Sequence, residues 1–434
     1  MRDLPKGWEW TTIGEVANIQ LGRQRSPKNH TGPHIRPYLR SANVTWGGID
    51  VSDVKEMNFE PSEAVTFELQ PGDLLLNEAS GSPNEVGKPA IWGGEIDGCC
   101  FQNTLLRVRS RGLATTGYLY WYCRSAALAG DFGNAGRGVN IRHLGKQGLA
   151  GFPLPLPPRA EQERVVAAIE EQLSRLDAAA ALMRAAIART EVLRKAAPQS
   201  VFPTADRLLS DVASIYAGTT PPGVGGLPPK GDVPFYKVGD MNSASGRWMA
   251  ASRTYIENGS EAASRLRLWP AGTVIFPKQG GAIATNKKRQ LREPAYCDLN
   301  TMGVVPGPEL DAAYLYRVLE QVDLATLSDG TVIQQIKKPA VAGLRIGVPG
   351  LGVQRQIALQ LDGWADEIDR IQEATGNAIS KAASLRRSIL TAAFRGELVR
   401  QDADDEPASA LLARIQAGRA AATPVKRTRK SNAS

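Results

Sequence analysis

The sequence contains no long apolar segment. No window reaches the roughly 18 apolar residues that a membrane-spanning helix requires, and the alanine-rich stretch at residues 178–183 is closed by Arg184. The charged N-terminus is followed by no apolar core of the kind found in a secretory signal. These absences argue against a membrane span and predict a cytoplasmic location.

Cysteine is scarce as well, with 4 residues in a chain of 434. Cys99, Cys100, Cys123 and Cys297 include no Cys-X-X-Cys pair. So few cysteines in a chain of this length are more typical of a reduced protein than of a disulfide framework. We therefore expect all four to be structural thiols.

Charge of one sign is only mildly in excess. The 52 Lys and Arg residues face 44 Asp and Glu, and the formal net charge of +8 favours anionic partners without proving one. Apolar residues make up 42% and charged residues 22% of the chain, which is typical of a folded protein. At roughly 100–200 residues per domain, there is room for about two to four folding units.

An internal repeat organises the chain. Residues 13–22 return 196 positions later as residues 209–218, with the same apolar pattern, an acid at the same place and a closing glycine. Further matches keep the same order at offsets of 192 to 199, namely 37–40 with 234–237, 69–71 with 268–270, 103–104 with 300–301, 118–120 with 314–316 and 149–157 with 341–349. We interpret this series as a tandem duplication. The intervening stretches differ, which indicates one scaffold with two different surfaces.

Each repeat ends in a long segment with the apolar spacing of a coiled coil. Residues 159–197 contain no proline, and apolar residues recur in alternating steps of three and four both there and across residues 353–394, despite Gly363 and Gly376. The predicted seam is Val166, Ile169, Leu173, Leu176, Met183 and Ile187 in the first helix, and Ile357, Leu361, Trp364, Ile368, Ile371, Leu385 and Ile389 in the second. We predict that the two helices pair and act as a spacer.

The segments before these helices are punctuated by glycine and proline. They contain short apolar runs, such as residues 73–76 and 272–276, which are typical of β-strands joined by loops. Helical spacing around residues 118–128 and 311–321 indicates mixed domains. The predicted fold class is α+β, with two mixed α/β domains in tandem repeat and two long helices.

Several patterns resemble catalytic motifs but fail in their spacing or context. In Gly81–Pro89, five residues separate the glycines where a phosphate loop needs four, and proline replaces the Mg²⁺-binding hydroxyl. His30 and His34 are separated by Gly-Pro, which prevents the helix that would align them on a metal. No Asn-Pro-Pro-aromatic or Asp-Pro-Pro-aromatic run of an adenine methyltransferase occurs. We predict a non-catalytic chain without a metal or cofactor of its own.

What remains is a set of basic and amide-rich loops at corresponding places in the two repeats. Arg and Lys can neutralise phosphates and read guanine edges, and Asn and Gln can pair with adenine. We predict that these loops bind DNA, with ordinary solvated surface as the open alternative for any single residue. The candidates are Arg23, Arg25, Lys28, Arg137, Asn140, Arg142, His143 and Lys146 in the first repeat, and Lys278, Gln279, Asn286, Lys287, Lys288, Arg289, Gln334, Gln335, Lys337 and Lys338 in the second.

The starts of the domains and the junctions of the helices resemble the specificity subunit of type I restriction-modification enzymes. The matching stretches are residues 4–8 with 13–16, 155–165, 390–398 and 405–412. The second junction, residues 349–355, lacks the double proline and the glutamate of the first. This departure leaves the start of the second long helix open.

The resemblance implies two target-recognition domains, each of which reads one half of an asymmetric bipartite DNA site, separated by the two helices as an antiparallel coiled coil. The implied division is 1–157 and 200–349 for the two domains, 158–199 and 350–400 for the central and distal helices, and 401–434 for a C-terminal tail. It further implies that two modification subunits bind S-adenosylmethionine and methylate adenine N6. Restriction subunits would use ATP and Mg²⁺ to translocate and cleave unmodified DNA.

Two alternatives stay open. The chain could be the recognition subunit of another bipartite restriction system, which the accompanying partner proteins would reveal. It could also be a coiled-coil adaptor that does not read DNA, in which case it would show no preference among DNA sequences.

Overall fold

The computed structural model describes residues 3–27, 30–135, 142–196, 201–222, 231–244, 246–330 and 334–422. The chain divides into two compact units. Unit 1 comprises residues 1–182 together with 378–434, and unit 2 comprises residues 183–377. Each unit therefore contains one repeat domain and part of two long helices. The division of the chain into two domains, two helices and a C-terminal tail stays a prediction.

The two repeats share a common succession of elements. The first contains β1 (Glu9–Thr12), α1 (Ile13–Val16), β2 (Ala17–Leu21), β3 (Ile35–Leu39), β4 (Val44–Thr45), β5 (Gly48–Ile49), β6 (Lys55–Asn58), α2 (Pro61–Phe67), β7 (Leu74–Asn77), β8 (Ala79–Ser80), β9 (Pro89–Ile91), β10 (Cys100–Phe101), β11 (Leu105–Ser110), α3 (Thr116–Ala129), α4 (Asp131–Ala135), β12 (Arg142–His143), α5 (Lys146–Ala150), β13 (Pro153–Leu156) and the long α6 (Arg159–Ala196). The second contains β14 (Arg207–Leu208), α7 (Leu209–Val212), β15 (Ala213–Ala217), β16 (Val233–Tyr236), β17 (Tyr255–Ile256), α8 (Glu261–Ser264), β18 (Val274–Pro277), β19 (Arg289–Gln290), β20 (Tyr296–Cys297), β21 (Thr301–Pro306), α9 (Ala312–Glu320), α10 (Lys338–Ala342), β22 (Arg345–Ile346), the long α11 (Leu351–Ala393) and α12 (Ala408–Ala422). To the common succession the first repeat adds β4, β5, β8, α4 and β12.

A four-stranded antiparallel sheet lies at the centre of each domain. Its order is β2-β11-β7-β9 in unit 1 and β15-β21-β18-β19 in unit 2. A three-stranded mixed sheet accompanies it, β10-β3-β6 in unit 1 and β20-β16-β17 in unit 2. The first and last strands of each repeat pair antiparallel, β1 with β13 and β14 with β22. The shared topology confirms two mixed domains in tandem repeat.

The strand β7 is buried on both faces. Leu74 and Leu76 lie in the larger core of unit 1, whereas Leu75 lies in a second core on the other face of the sheet. Residues 274–276 of β18 alternate between two cores in the same way. Because side chains alternate along a strand, a slip of one residue would exchange the two apolar sets. The register of both sheets is therefore fixed by packing.

The glycines that close the matched segments 13–22 and 209–218 lie against neighbouring loops. A Cβ atom at Gly22 would lie 2.1 Å from the carbonyl oxygen of Gln102, and one at Gly218 would lie 2.1 Å from that of Asp298. No side chain fits this approach, so glycine is required at both positions. This explains why the repeat retains them.

The long helices α6 and α11 contain 38 and 43 residues. Within unit 1, Arg386 of α11 forms an ion pair with Asp177 of α6. Within unit 2, Gln372 donates a hydrogen bond to Thr190, and four residues further along α6 Arg194 pairs with the earlier Asp369 of α11. Later residues of α6 thus meet earlier residues of α11. This confirms the predicted antiparallel pairing.

The predicted seam residues differ in burial, and their role as the contact between the two helices stays a prediction. Buried are Ile169, Leu173, Ile357, Leu361 and Ile389, and half-buried are Val166, Leu176, Met183, Ile187 and Ile368. Trp364, Ile371 and Leu385 are exposed. Next to two of them, Gln372 and Arg386 contact the other long helix. Because a helix advances 3.6 residues per turn, strict steps of three and four drift around its surface.

Each long helix begins with a buried glutamine that satisfies three main-chain groups. The Gln162 amide accepts one hydrogen bond from an N–H and donates to two carbonyl oxygens, at 2.8, 3.0 and 3.1 Å. Gln354 makes the equivalent bonds at 2.8, 2.8 and 2.7 Å. The second helix begins at Leu351, two residues before the predicted 353, and its altered junction is anchored like the first.

All four cysteines are buried and unbridged, as expected. Burial raises the pKa of the Cys99, Cys100 and Cys123 thiols to about 12. None of the helices in the described ranges carries an apolar stretch long enough for a bilayer.

Replacing Gln354 tests this anchor. We expect Gln354→Leu to lower the free energy of unfolding by about 2–4 kcal/mol, because it leaves buried main-chain groups without partners. The matched control is Gln356→Leu, since Gln356 is exposed two residues further along the same helix. Urea unfolding of both variants measures the difference, and equal stabilities would contradict the anchoring role.

Candidate nucleic-acid interface

The candidate loops are held by the same main-chain hydrogen bonds in both domains. After β7, the N–H of Glu78 donates to Thr104 at 2.9 Å, and its carbonyl accepts from Leu144 at 2.8 Å. After β18, the N–H of Lys278 donates to Asn300 and its carbonyl accepts from Ile336, both at 2.8 Å. The end of a central strand is thus tied to the segment before α5 or α10. Positions 78 and 278 are structurally equivalent.

In unit 1 this arrangement brings a glutamate next to the predicted basic loop. Strand β12 pairs with β8, opposing Arg142 to Ser80 and His143 to Ala79. His143 is 56% exposed at its side chain, and its Nδ1 lies 2.9 Å from a carboxylate oxygen of Glu78. The Arg142 guanidinium is half-buried and donates to the carbonyl of Gly133 at 2.7 Å. The surface therefore combines acidic and basic groups.

The counterpart in unit 2 is formed by amides and lysines. Gln279 bridges to Gln335, and Gln334 is exposed beside them. Lys337 forms an ion pair with Asp329 at 3.2 Å. Lys338 is exposed at the first residue of α10, where Lys146 lies in α5 of unit 1. Lys278 takes the place of Glu78, so the equivalent sites carry opposite charge.

Arg23 lies in the interior of unit 1. It is 9% exposed, and its guanidinium forms an ion pair with Glu63 at 2.7 Å. It also donates to the carbonyl of Asn58 at 2.7 Å and lies over the ring of Phe59. These contacts give Arg23 a structural role, so we leave it out of the interface. Arg25 is exposed, and its Nε lies 3.2 Å from His30 Nε2.

The segment 286–289 folds back on its own domain. Lys288 is 4% exposed and donates to Asn286 and to the carbonyl of Val322. The half-buried Lys287 and Arg289 bond to Asn242 and to main-chain carbonyls. Asn286 adopts a left-handed conformation with φ of 50°. Lys288 is therefore also left out of the interface.

Three candidates, Lys28, Arg137 and Asn140, lie outside the described residues. Glu78 is not among the predicted residues, because its acidic side chain differs from the basic and amide types that suit DNA. Its position could have indicated it, since Glu78 directly follows β7 just as the predicted residue Lys278 directly follows β18. Within the described ranges, no group of three or more His, Cys, Asp and Glu side chains is placed to hold a metal ion.

Burial lowers the pKa of Lys288 from 10.5 to about 8. Between these values the unfolded chain binds more protons at this lysine than the folded chain does, so the free energy of unfolding contributed by Lys288 rises with pH. We expect the wild-type protein to gain about 1–3 kcal/mol relative to Lys288→Met from pH 8 to pH 10.5.

Chemical unfolding at several pH values measures this difference. Lys287→Met is the matched control, since this neighbouring side chain is less deeply buried. If the difference in free energy of unfolding between the wild-type protein and Lys288→Met stays constant across this pH range, the predicted effect of burying Lys288 is wrong.

No family model matches the chain. The chain is similar to the specificity subunit of the type I restriction enzyme StySPI from Salmonella potsdam, at 21% identity over 98% of this chain and 98% of that protein. It is also similar to the specificity subunit of the type I restriction enzyme EcoKI from Escherichia coli strain K12, at 23% identity over 99% of both.

The chain shares its fold with two solved structures. The HsdS subunit from Thermoanaerobacter tengcongensis has a TM-score of 0.63 and 22% identity, covering 91% of this chain and 98% of that chain. A chain from a study of complex assembly and conformational transition of the type I R-M system has a TM-score of 0.71 and 20% identity, covering 92% and 100%. The full-length similarity to type I specificity subunits confirms the resemblance stated from the motifs.

Proposed function

We propose that the chain is the DNA-recognition subunit of a type I restriction-modification complex, in which the two domains read different halves of an asymmetric bipartite site. The observation that carries this proposal is the pair of equivalent positions 78 and 278. Equivalent main-chain hydrogen bonds hold them, and they bear a glutamate and a lysine. One scaffold thus presents two chemically different surfaces.

The two side chains suit different bases. A carboxylate only accepts hydrogen bonds and fits the amino group of cytosine in the major groove, whereas an ammonium only donates and fits O6 and N7 of guanine. His143 bonds to one carboxylate oxygen of Glu78 and positions this side chain. Lys278 makes no ion pair within the described part of the chain. Two domains with these groups do not select the same half-site.

The helices support a spacing role for the coiled coil. At 1.5 Å per residue, α6 and α11 are about 57 and 65 Å long. Exposed apolar side chains on them, including Leu182 and Leu359, would suit docking of partner subunits. In the proposed complex, modification subunits bind S-adenosylmethionine and methylate adenine N6, and restriction subunits use ATP and Mg²⁺ to cleave unmodified DNA. The chain itself contributes recognition and no catalysis.

Long-read sequencing of DNA methylation tests the proposal. We expect a bipartite N6-methyladenine motif in a host that expresses the chain with its modification subunit, and no such motif without the chain. Absence of any motif from a correctly assembled, cofactor-loaded complex would contradict the proposal and favour the adaptor alternative.

Replacing Glu78 should alter one half-site only. Glutamine is both donor and acceptor, so Glu78→Gln should relax or change the base preference of the half read by unit 1, while the other half stays constant. The control is Glu56→Gln, an exposed glutamate on β6 of the same unit. The same methylation sequencing reads both variants. An unchanged motif in Glu78→Gln would remove this residue from base recognition.

Shortening the helix pair should change the gap between the half-sites. Deleting seven facing residues from each helix, 178–184 and 379–385, removes about 10 Å, which corresponds to about three base pairs. We therefore expect a methylated motif with a gap altered by about three base pairs. The control replaces the same segments by alanine without changing their length. A deletion variant that methylates the wild-type motif would contradict the spacer role.

A further inference from the structure

A group of charged side chains in unit 2 joins the repeat domain to the long helix α11, and the recognition loops do not include it. Asp362 lies on α11, and Arg317 lies on α9. The Nε and Nη2 atoms of Arg317 contact the same carboxylate oxygen of Asp362, at 2.7 and 2.6 Å. Nη1 of Arg247, from the loop between β16 and β17, donates to the other oxygen at 3.1 Å. Asp362 thus binds two arginines of the domain.

Both arginines are nearly buried and continue the contact into the domain. The side chains of Arg317 and Arg247 are 10% and 13% exposed. Nη1 of Arg317 donates to the carboxylate of Glu320, three residues further along α9, at 2.7 Å. Nε of Arg247 donates to the side-chain oxygen of Gln290 on β19. Because bonds of charged groups have definite directions, they resist turning of the domain on the helix.

Gln290 connects the charged group to the central sheet of unit 2. This side chain is completely buried, and its Nε2 donates to the carbonyl oxygens of Gly272 and Ala312 at 2.8 and 2.7 Å. Ala312 is the first residue of α9, and β19 is an edge strand of the four-stranded sheet. The bonds therefore run without a break from the edge of the sheet through Arg247 to α11.

The apolar contact between domain and helix differs at this end of the two long helices. Gln162 and Gln354 occupy equivalent positions in α6 and α11 and are 192 residues apart. At this offset, Leu173 of α6 matches Ala365 of α11. Leu173 lies in the core of unit 1, whereas the smaller Ala365 is half-buried. In unit 2 the charged group lies where unit 1 has this additional apolar contact.

Among the described residues, the equivalent place in unit 1 carries a single weaker contact. Trp121 and Glu170 occupy the positions that match Arg317 and Asp362 in the two repeats. The indole Nε1 of Trp121 donates to a carboxylate oxygen of the exposed Glu170 at 3.4 Å. This is one long bond to the helix, in contrast to the bonds that Asp362 forms through both of its oxygens. The charged contact at this position is therefore specific to unit 2.

We propose that Asp362 is a positioning residue that holds the domain of unit 2 in one orientation on α11 and thereby restricts the gap between the two DNA half-sites. This inference rests on the proposed function, since a gap exists only if both domains read DNA. Apolar packing does not prescribe a direction, whereas the bonds of Asp362 do. A domain that can turn on its helix would accept half-sites at several separations.

The first arm of the test reads the methylated motif of the complex between the full-length chain and its modification subunit. We expect Asp362→Asn to raise methylation at sites whose gap is one base pair longer or shorter by about tenfold, since this is the change in equilibrium that loss of one hydrogen bond between charged groups causes. Both half-sites should stay the same. Loss of stability alone would lower methylation at all sites without altering the gap.

Arg247→Gln is the second variant, because it interrupts the same chain of bonds while Asp362 stays paired with Arg317. It keeps the proposal testable if Asp362→Asn does not fold. Both variants should broaden the range of accepted gaps. Glu170→Gln is the matched control in unit 1, and it should change neither the gap nor the half-sites.

The second arm measures the domain on its helix directly and needs no DNA. Spin labels are attached to the full-length chain at Glu257→Cys in the domain and at Asp366→Cys on α11, two exposed positions of unit 2. All four native cysteines are buried, so they do not compete for the label. We expect a narrow distribution of distances between the labels without further changes, and a broader one in Asp362→Asn and in Arg247→Gln.

The two arms separate this proposal from the proposed function. A wild-type complex that selects no DNA motif would contradict the proposed function, while the spin labels still report whether Asp362 holds the domain. A broadened distance distribution with an unchanged gap would overturn the link between this contact and the spacing of the half-sites. Distances that stay narrow in both variants would overturn the positioning role altogether.

Discussion

Burial of one strand on both faces is the constraint on which the rest of the structure depends. The first three side chains of β7 and of β18 each enter one of two cores, so neither strand can shift by a residue without exchanging the apolar residues of those cores. The residue after the strand is consequently delivered to a fixed place in both domains. The main-chain bonds of Glu78 and Lys278 are nearly identical for this reason. Specificity can then change through side chains while the scaffold is preserved.

At the long helices, too, constant main-chain bonds are combined with variable side chains. Gln162 and Gln354 bond only to main-chain groups, so each anchor tolerates a different surrounding sequence. This is why the second junction begins a helix without the double proline of the first. Between the helices, by contrast, side chains form the contact, as in the ion pair between Asp177 and Arg386. The glutamine anchors are thus the same in both long helices, whereas the side chains that join the two helices differ along their length.

The sequence predicted the repeat, the mixed domains and the two helices, because these leave periodic traces in apolar residues. It did not distinguish surface cations from buried ones. Arg23 and Lys288 are typical DNA-contacting residue types, yet an ion pair with Glu63 and a carbonyl of a later loop hold them inside. Those partners are distant in sequence, so no local pattern indicates them. Glu78 was missed for the opposite reason, because its chemistry did not match the expected charge.

The same contrast between the two domains extends from single side chains to the volume that each domain leaves free. In unit 2 the ring of Trp269 occupies the space over Gly303, so an arginine there would require the tryptophan to move. In unit 1 the N–H of Leu69 donates to the carbonyl of Cys99 as that of Trp269 donates to Ala295, so the smaller Leu69 takes the place of the ring, and Arg107 is present at the position of Gly303. A buried cation and a buried ring thus exclude each other at this position. The duplicated scaffold can therefore exchange one of these groups for the other only by a coupled change of two residues, so this position differs between the two domains.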